Sequence, residues 1–191
     1  MQFNHTEEII YKVILKNDLF LYYKPNEVMG FCESCPNYGK IWTCPPYERE
    51  VIHTFNPFDY AIIIGFKGKD FFKLKKESTV YLHELEGMNG NVSESNFTTL
   101  VAGNCEICES CGKSEGQPCL FPDLMRYSLE SVGFHVSEIC DAVLGESLLW
   151  QTEHPKYMAV AGILLEEKAL DAMVEKMHSS FGDLVRKGSH D

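Results

Sequence analysis

The sequence predicts an α/β fold: a central mixed or parallel sheet of about four strands, flanked by helices, with two cysteine-rich metal-binding loops. Three observations lead to this. Two continuous apolar segments, residues 60–66 and 157–165, have the length and composition of strands buried on both faces. A helical pattern and a further strand candidate follow the first of them. Seven of the eight cysteines fall within residues 32–46 and 103–122, which we predict to be the metal loops.

The N-terminal segments give short elements. Residues 6–15 predict a helix, because acidic side chains open the segment and its apolar residues recur at helical spacing. Residues 19–23 are apolar and aromatic and end before Pro25, which predicts a strand. Prolines and Gly39 predict a loop in the first cysteine segment, and residues 47–54 predict a short helix after its two final prolines.

The central segments predict a strand, a helix and a second strand. Residues 60–66 form the first strand, and a stripe running from Leu74 to Met88 marks a helix that Asn89-Gly90 ends. Residues 97–102 are the second strand. This order predicts a right-handed βαβ unit with parallel strands. The second cysteine segment follows directly, where sites lie in open α/β sheets.

The C-terminal segments complete the sheet and its cover. Residues 122–132 predict a helix with Pro122 near its start and Gly133 after its end. Residues 136–144 fit more than one kind of element. Residues 157–165 predict a strand, 166–181 an amphipathic helix, and 186–191 a loose tail.

Composition limits the classes of protein. A chain of 191 residues with 45% hydrophobic content predicts a single domain over residues 1–191. A net charge of −11 argues against nucleic acid and anionic membranes as partners. The apolar runs are too short to cross a bilayer, and we see no signal peptide. Clustered cysteines without such a signal predict a cytoplasmic protein with reduced thiols.

The second cysteine segment carries the more specific ligand pattern. Cys105, Cys108, Cys111 and Cys119 are spaced C-x2-C-x2-C-x7-C. Two successive x2 gaps are typical of loops that hold a [4Fe–4S] cluster. Structural zinc sites usually pair two C-x2-C units across a longer gap and fit this spacing less well. Free buried thiols are the third interpretation. We therefore favour iron–sulfur over zinc here.

The first cysteine segment is less specific. Cys32, Cys35 and Cys44 are spaced C-x2-C-x8-C. Three thiolates can hold a [4Fe–4S] cluster with one iron open to a substrate, by analogy with open catalytic metal sites. They can also complete a site with a histidine or Cys140, or bind one structural metal that pins the loop. Cys140 itself predicts a core thiol, and His135 a structural histidine.

Both segments resemble a family of predicted metal-binding proteins, the domain of unknown function 2284 family. The resemblance runs from about Cys32 to about Gly145 and rests on C-x2-C-P-x-Y-G-x-x-W-x-C-P-P, on the second cysteine pattern, and on Ser128 and Glu130 as a Ser-x-Glu pair. The chain departs from the family at Leu120 and Phe121, where Arg and His are frequent. The resemblance implies metal binding, with the seven loop cysteines as the ligand pool.

Two functional hypotheses follow. The first is a cytoplasmic metal-binding protein with one or two [4Fe–4S] clusters, acting in electron transfer or redox chemistry with a partner protein or a small-molecule substrate. The second is a non-catalytic binding module whose loops are stapled by zinc or by a single cluster. The sequence carries none of the common nucleotide-binding, zinc-protease or serine-hydrolase motifs.

Overall fold

A five-stranded mixed sheet forms the centre of the protein. The computed structural model describes residues 4–47, 51–87, 96–148 and 156–187. The strands are β1 (Thr6–Leu15), β2 (Tyr60–Gly68), β3 (Phe97–Leu100), β4 (Tyr157–Leu165) and β5 (Val185–Lys187). They lie in the order β3-β4-β2-β1-β5. The predicted α/β class is confirmed, with five strands in place of about four.

Strand pairing confirms the parallel direction of the two strands in the predicted βαβ unit and adds a third strand between them. Strand β4 pairs antiparallel with both β2 and β3, so β2 and β3 do run in the same direction. They are not hydrogen-bonded neighbours, however, because β4 lies between them. Strand β1 pairs antiparallel with β2 and parallel with β5. Strand β3, which leads into the second cysteine segment, is therefore an edge strand.

Helices cover the sheet. They are α1 (Lys16–Leu19), α2 (Pro25–Glu33), α3 (Phe71–Gly87), α4 (Val136–Ile139) and α5 (Leu170–Phe181). Helix α4 continues into a π-helical turn, Cys140–Leu144, so the ambiguous segment 136–144 is helical. The helix predicted at 166–181 is present as α5, preceded by the 3₁₀ turn Glu167–Ala169. Among the described residues, no helix combines the length and the apolar character needed to cross a membrane.

Both faces of the sheet are buried. On one face Tyr11, Ile64 and Phe66 pack with residues of α3 and α5, including Tyr81 and Met177. The other face is covered by the segment 129–144 and by Phe55. Burial on two sides explains why β2 and β4 are continuous apolar runs rather than alternating ones.

Two N-terminal predictions were wrong. Residues 6–15 form strand β1, not a helix, because their β-branched side chains pair along β2 and supply both core faces: Ile9 lies in one and Ile10 in the other. Residues 19–23 are not a strand. They fold as the end of α1 and a 3₁₀ turn, Phe20–Tyr22, which buries Leu19 completely.

The segment 122–132 is not the predicted helix. It consists of turns, a β-bridge from Ser128 to Val101 and the 3₁₀ turn Glu130–Val132. Ser128 and Ser131 each accept a hydrogen bond at the side chain from the other's backbone N–H, at 3.2 and 2.9 Å. Such local bonds compete with helix formation. Gly133, at φ 106°, then ends the turn.

Other boundaries differ in detail. The predicted helix 47–54 lies partly outside the described residues, and the described part holds the 3₁₀ turn Ile52–Phe55. Met88 and Asn89-Gly90 also lie outside them, so the predicted end of α3 is not tested. The predicted loose tail was wrong at its start, because Arg186 belongs to β5 beside β1.

Candidate metal centre

The first cysteine group begins on a helix. Cys32 lies in the last turn of α2, where a loop was predicted, and Cys35 and Cys44 follow in a chain of turns. The Cys35 N–H donates to the Cys32 carbonyl at 2.9 Å, which begins the turn after the helix. Gly39, at φ 70°, donates to the Pro45 carbonyl at 2.7 Å and closes the loop between Cys35 and Cys44.

The second cysteine group follows the carboxyl end of β3. The backbone N–H of Val101 donates to the Tyr127 carbonyl at 2.9 Å, and the chain then turns at Gly103, whose φ is 72°. A 3₁₀ turn, Gly112–Glu115, separates the third and fourth cysteines. All four second-group cysteines line one small cavity of about 20 Å³: Cys105, Cys108, Cys111 and Cys119. Trp42 of the first segment also lines it, as does Phe121, whose side chain is 46% exposed.

Lys113 ties the second loop to the first. Its Nζ donates to the backbone carbonyls of Cys44 at 2.9 Å and of Ile41 and Pro46 at 3.3 Å each. The same Nζ lies 5.7 Å from the centre of the Trp42 ring. An ammonium group has three N–H donors, so these carbonyls match its full capacity.

Further hydrogen bonds join the two loops along their length. Each of the two loops supplies both donors and acceptors to these hydrogen bonds. The bonds run from Trp42 Nε1 to the Gln117 carbonyl at 3.2 Å, from Cys105 N to Thr43 Oγ1 at 3.3 Å, and from Asn37 Nδ2 to Asn104 Oδ1 at 3.1 Å. The two cysteine groups thus lie on adjoining loops at one end of the sheet.

Burial weakens the acidity of three of the loop thiols, those of Cys32, Cys44 and Cys105. It raises the pKa of Cys32 to about 11 and that of Cys44 to about 12, and the neighbouring charges of Cys35 act in the same direction. Burial also raises the pKa of Cys105, with smaller contributions from the other three cysteines of its group. A metal binding there must displace their protons.

The donor chemistry fits a thiophilic metal. Sulfur ligands select zinc, copper(I) or iron–sulfur clusters over harder cations. All eight cysteines are free thiols. Within the described ranges, however, no three or more histidine, cysteine or acidic side chains are arranged closely enough to hold a metal ion. The loops therefore carry the thiols without arranging them as a complete metal coordination sphere.

Two other candidate ligands have places in the fold. Cys140 is fully buried in the apolar core, as expected for a core thiol. His135 caps α4: its Nδ1 accepts from the Glu138 N–H at 3.3 Å, while its Nε2 lies 3.5 Å from Glu27. These contacts give His135 a structural role.

Sequence reasoning missed a buried cation beside the second group. Lys75 of α3 is 6% exposed, and its Nζ donates to Asn104 Oδ1 at 2.9 Å and to Glu106 Oε1 at 2.7 Å. A Cβ on Gly103 would lie 2.9 Å from Lys75 Cε, so this glycine makes room for the lysine stem. Its spacing was a usable signal, because Lys75 lies three and seven residues before the buried Ser78 and Leu82 and therefore on the buried face of α3.

A buried carboxyl group lies beside the first group. Glu130 lines a cavity of about 370 Å³ that Cys32 also lines. Burial raises the pKa of Glu130 to about 7, although the amides of Glu130 and Gly103, the Ser128 hydroxyl and the Lys75 charge oppose the rise. Its Oε2 has no hydrogen-bond partner among the described residues. Glu130 stood out in the sequence only as part of the Ser-x-Glu pair.

A family model matches most of the chain. The model of the family described as "Predicted metal-binding protein (DUF2284)" matches residues 23–165. This range contains both cysteine loops, Lys75 and Glu130. No curated protein matches the chain. No solved structure matches it either.

Proposed function

Because the chain belongs to this family of predicted metal-binding proteins, we propose that its loop cysteines hold iron–sulfur clusters that serve electron transfer or redox chemistry. The observation that carries the proposal is the common cavity of Cys105, Cys108, Cys111 and Cys119. Their spacing is typical of a [4Fe–4S] loop. A cluster bound there would supply a one-electron redox centre.

The chain's own residues support this use of the two cysteine groups. Lys75 and Lys113 bring two positive charges to the loops, and the charge of Lys113 lowers the pKa of Cys44 against the effect of burial. Positive charge near thiolates stabilises their ionised form. Phe121 lines the thiol cavity and is also exposed, so it offers a contact point for a redox partner protein.

The first group, Cys32, Cys35 and Cys44, supplies three thiolates. A cube held by three cysteines has one iron without a cysteine ligand, which suits binding of a small-molecule substrate. The cavity that contains Cys32 gives such a molecule room beside it. Free thiols throughout the chain favour a reducing compartment, and we propose the cytoplasm.

A zinc-stapled binding module is the second candidate. The size of the thiol cavity favours it, since about 20 Å³ suits a single ion better than a four-iron cube. In that case the metal would hold the two loops in place for a partner and carry no electrons. Both candidates use the same cysteines and differ in the metal.

Metal and sulfide analysis after anaerobic purification separates the candidates. About four or eight iron and sulfide per chain, with a broad absorption band near 400 nm, is the expected result. Cys111→Ser should lose the second cluster, while the matched control Cys140→Ala should keep full content, because Cys140 lies in the core. One zinc per chain without sulfide or colour would refute the redox function and leave the binding module.

A further inference from the structure

An exposed apolar patch lies on the turn that follows the last cysteine of the second group. Leu120, Phe121 and Leu124 are 69%, 46% and 45% exposed. The backbone N–H groups of Leu124 and Met125 both donate to the Phe121 carbonyl at 3.1 Å, so residues 121–125 form one tight turn. We call the three exposed side chains the Phe121 patch. Large apolar side chains exposed side by side often mark an interaction site.

The Phe121 patch adjoins the thiol cavity. Phe121 and Met125 line that cavity together with all four cysteines of the second group. A protein that covers the patch therefore lies beside the cysteines. Electron-transfer partners use small interfaces, below about 1,200 Å² in total, so a few exposed apolar side chains can form the centre of one.

The exposed charges of the same loop and turn are all negative. Within residues 103–126, all of which the structure describes, the exposed charged side chains are Glu109, Glu115 and Asp123. Asp123 lies in the turn that carries the patch. The two basic residues of this stretch are engaged within the chain, because Lys113 donates to carbonyls of the first loop and Arg126 donates to a glutamate of α3.

The adjoining first loop does not offset this charge. Its exposed charged side chains, Glu33 and Lys40, carry opposite signs. The whole chain has a net charge of −11, which attracts a basic protein over a longer range. An apolar centre among exposed carboxylates is complementary to an apolar centre among lysines and arginines.

We propose that the Phe121 patch docks a basic redox protein whose own cofactor lies near its surface. The partner's redox role rests on the function proposed above for the second cysteine group. Its positive charge rests independently on the exposed carboxylates of the loop and turn. The apolar side chains of the patch form the centre of the contact, and Asp123 contributes to its charged rim.

The probe for this surface is cytochrome c, a basic haem protein with an exposed haem edge. Its ¹⁵N-labelled ferric form is titrated with the purified full chain, and the amide shifts of the probe report binding whichever metal the loops hold. Binding should weaken at least about tenfold when the salt concentration rises from about 10 to about 200 mM, because salt screens contacts between exposed charges.

Variants of the patch and its rim locate the binding. Leu124→Ser should weaken binding at least about fivefold, because it removes apolar area from the centre of the contact. Asp123→Lys should weaken binding about tenfold at low salt, because it places a positive charge against a basic partner. Neither residue lines the thiol cavity.

Matched controls carry the same substitutions elsewhere on the surface. Leu21→Ser changes a leucine that is 73% exposed, and Asp18→Lys changes the net charge by the same amount as Asp123→Lys. Both positions lie in or just after α1, which follows the end of β1 that pairs with Tyr60, whereas β3 runs away from that end of the sheet. Each control should bind within about twofold of the unmodified chain.

Metal content, sulfide content and urea unfolding of every variant show whether the second loop is intact. If Asp123→Lys loses metal, Leu124→Ser decides the test. No binding by an iron-loaded chain, or equal binding by the patch variants and their controls, overturns the proposal. A zinc-loaded chain whose binding depends on the patch supports docking of a basic protein and refutes the redox function of the cysteine loops.

Discussion

Replacing Arg126 with methionine should weaken the attachment of the second cysteine loop to the sheet. Arg126 follows that loop and donates two hydrogen bonds to Glu86 at the end of α3. Its Nε donates to Oε1 at 2.6 Å, and its Nη2 donates to Oε2 at 2.8 Å. Thr99 of β3 also donates to Glu86, at 2.6 Å. The pair thus joins α3, β3 and the returning chain at one point.

The size of the effect follows from the carboxyl group. A pKa that falls to about 2 in the folded protein corresponds to about 3 kcal/mol in favour of the ionised form. Solvent screening is limited, because the Arg126 and Glu86 side chains are 19% and 17% exposed. Arg126 gives two of the hydrogen bonds and a full charge, so we assign it about 2 kcal/mol of this total.

A double-mutant cycle measures that coupling. Urea unfolding at pH 7 is compared for the unmodified chain, Arg126→Met, Glu86→Gln and the double variant. The expected coupling energy is about 2 kcal/mol, with Arg126→Met alone costing about 2 to 3 kcal/mol. A coupling below about 0.5 kcal/mol would refute the reasoning, because the pair would then behave as an ordinary surface salt bridge.

The pH dependence gives a second check on the same pair. Because the folded pKa of Glu86 is depressed below its ordinary value of 4.5, its stabilising effect is present above that pH. The effect is lost as the pH falls from 4.5 towards about 2. Arg126→Met should therefore lose less stability than the unmodified chain across this interval. Parallel curves would contradict the assignment.

Two further variants test the loops. Glu130→Gln should raise the free energy of unfolding at pH 8 by up to about 3 kcal/mol and should have little effect near pH 4.5. The reason is that a folded pKa of about 7 makes ionisation of the buried carboxyl group unfavourable as the pH rises from 4.5 to 7. Urea unfolding measures this gain, and a gain that does not grow with pH would contradict the prediction. Lys113→Met should release metal from the first cysteine group about tenfold faster to a chelator, because it removes charged hydrogen bonds to that loop. The exposed Lys40 provides the control, as Lys40→Met, and equal release rates would show that the tie is unimportant.

The sequence predicted the parts of the fold that have an unambiguous pattern. Strands β2 and β4 are long apolar runs, and α3 has a stripe of buried residues at helical spacing. The prediction for β1 was wrong because its isoleucines and valines, which are buried on both faces of the sheet, also fall at helical spacing. The interposition of β4 between β2 and β3 depends on pairing between segments far apart in the chain, which local patterns do not encode.

The candidate site shows the same division. Cysteine spacing identified the residues that line the thiol cavity, and two motifs suggested the family. The charged groups around the loops were missed, because Lys75 is a lysine on the buried face of α3 and Arg126 lies in a stretch of turns without a periodic pattern. Their roles arise from tertiary contacts with Glu106 and Glu86, which come from other parts of the chain.

The edge position of β3 sets the order of events when the protein is made. This strand precedes the second cysteine loop, but its hydrogen-bonded neighbour, β4, ends at Leu165. The first loop likewise lacks its Lys113 contacts until the second has emerged from the ribosome. Neither loop can therefore make all of its described contacts until most of the chain has been synthesised.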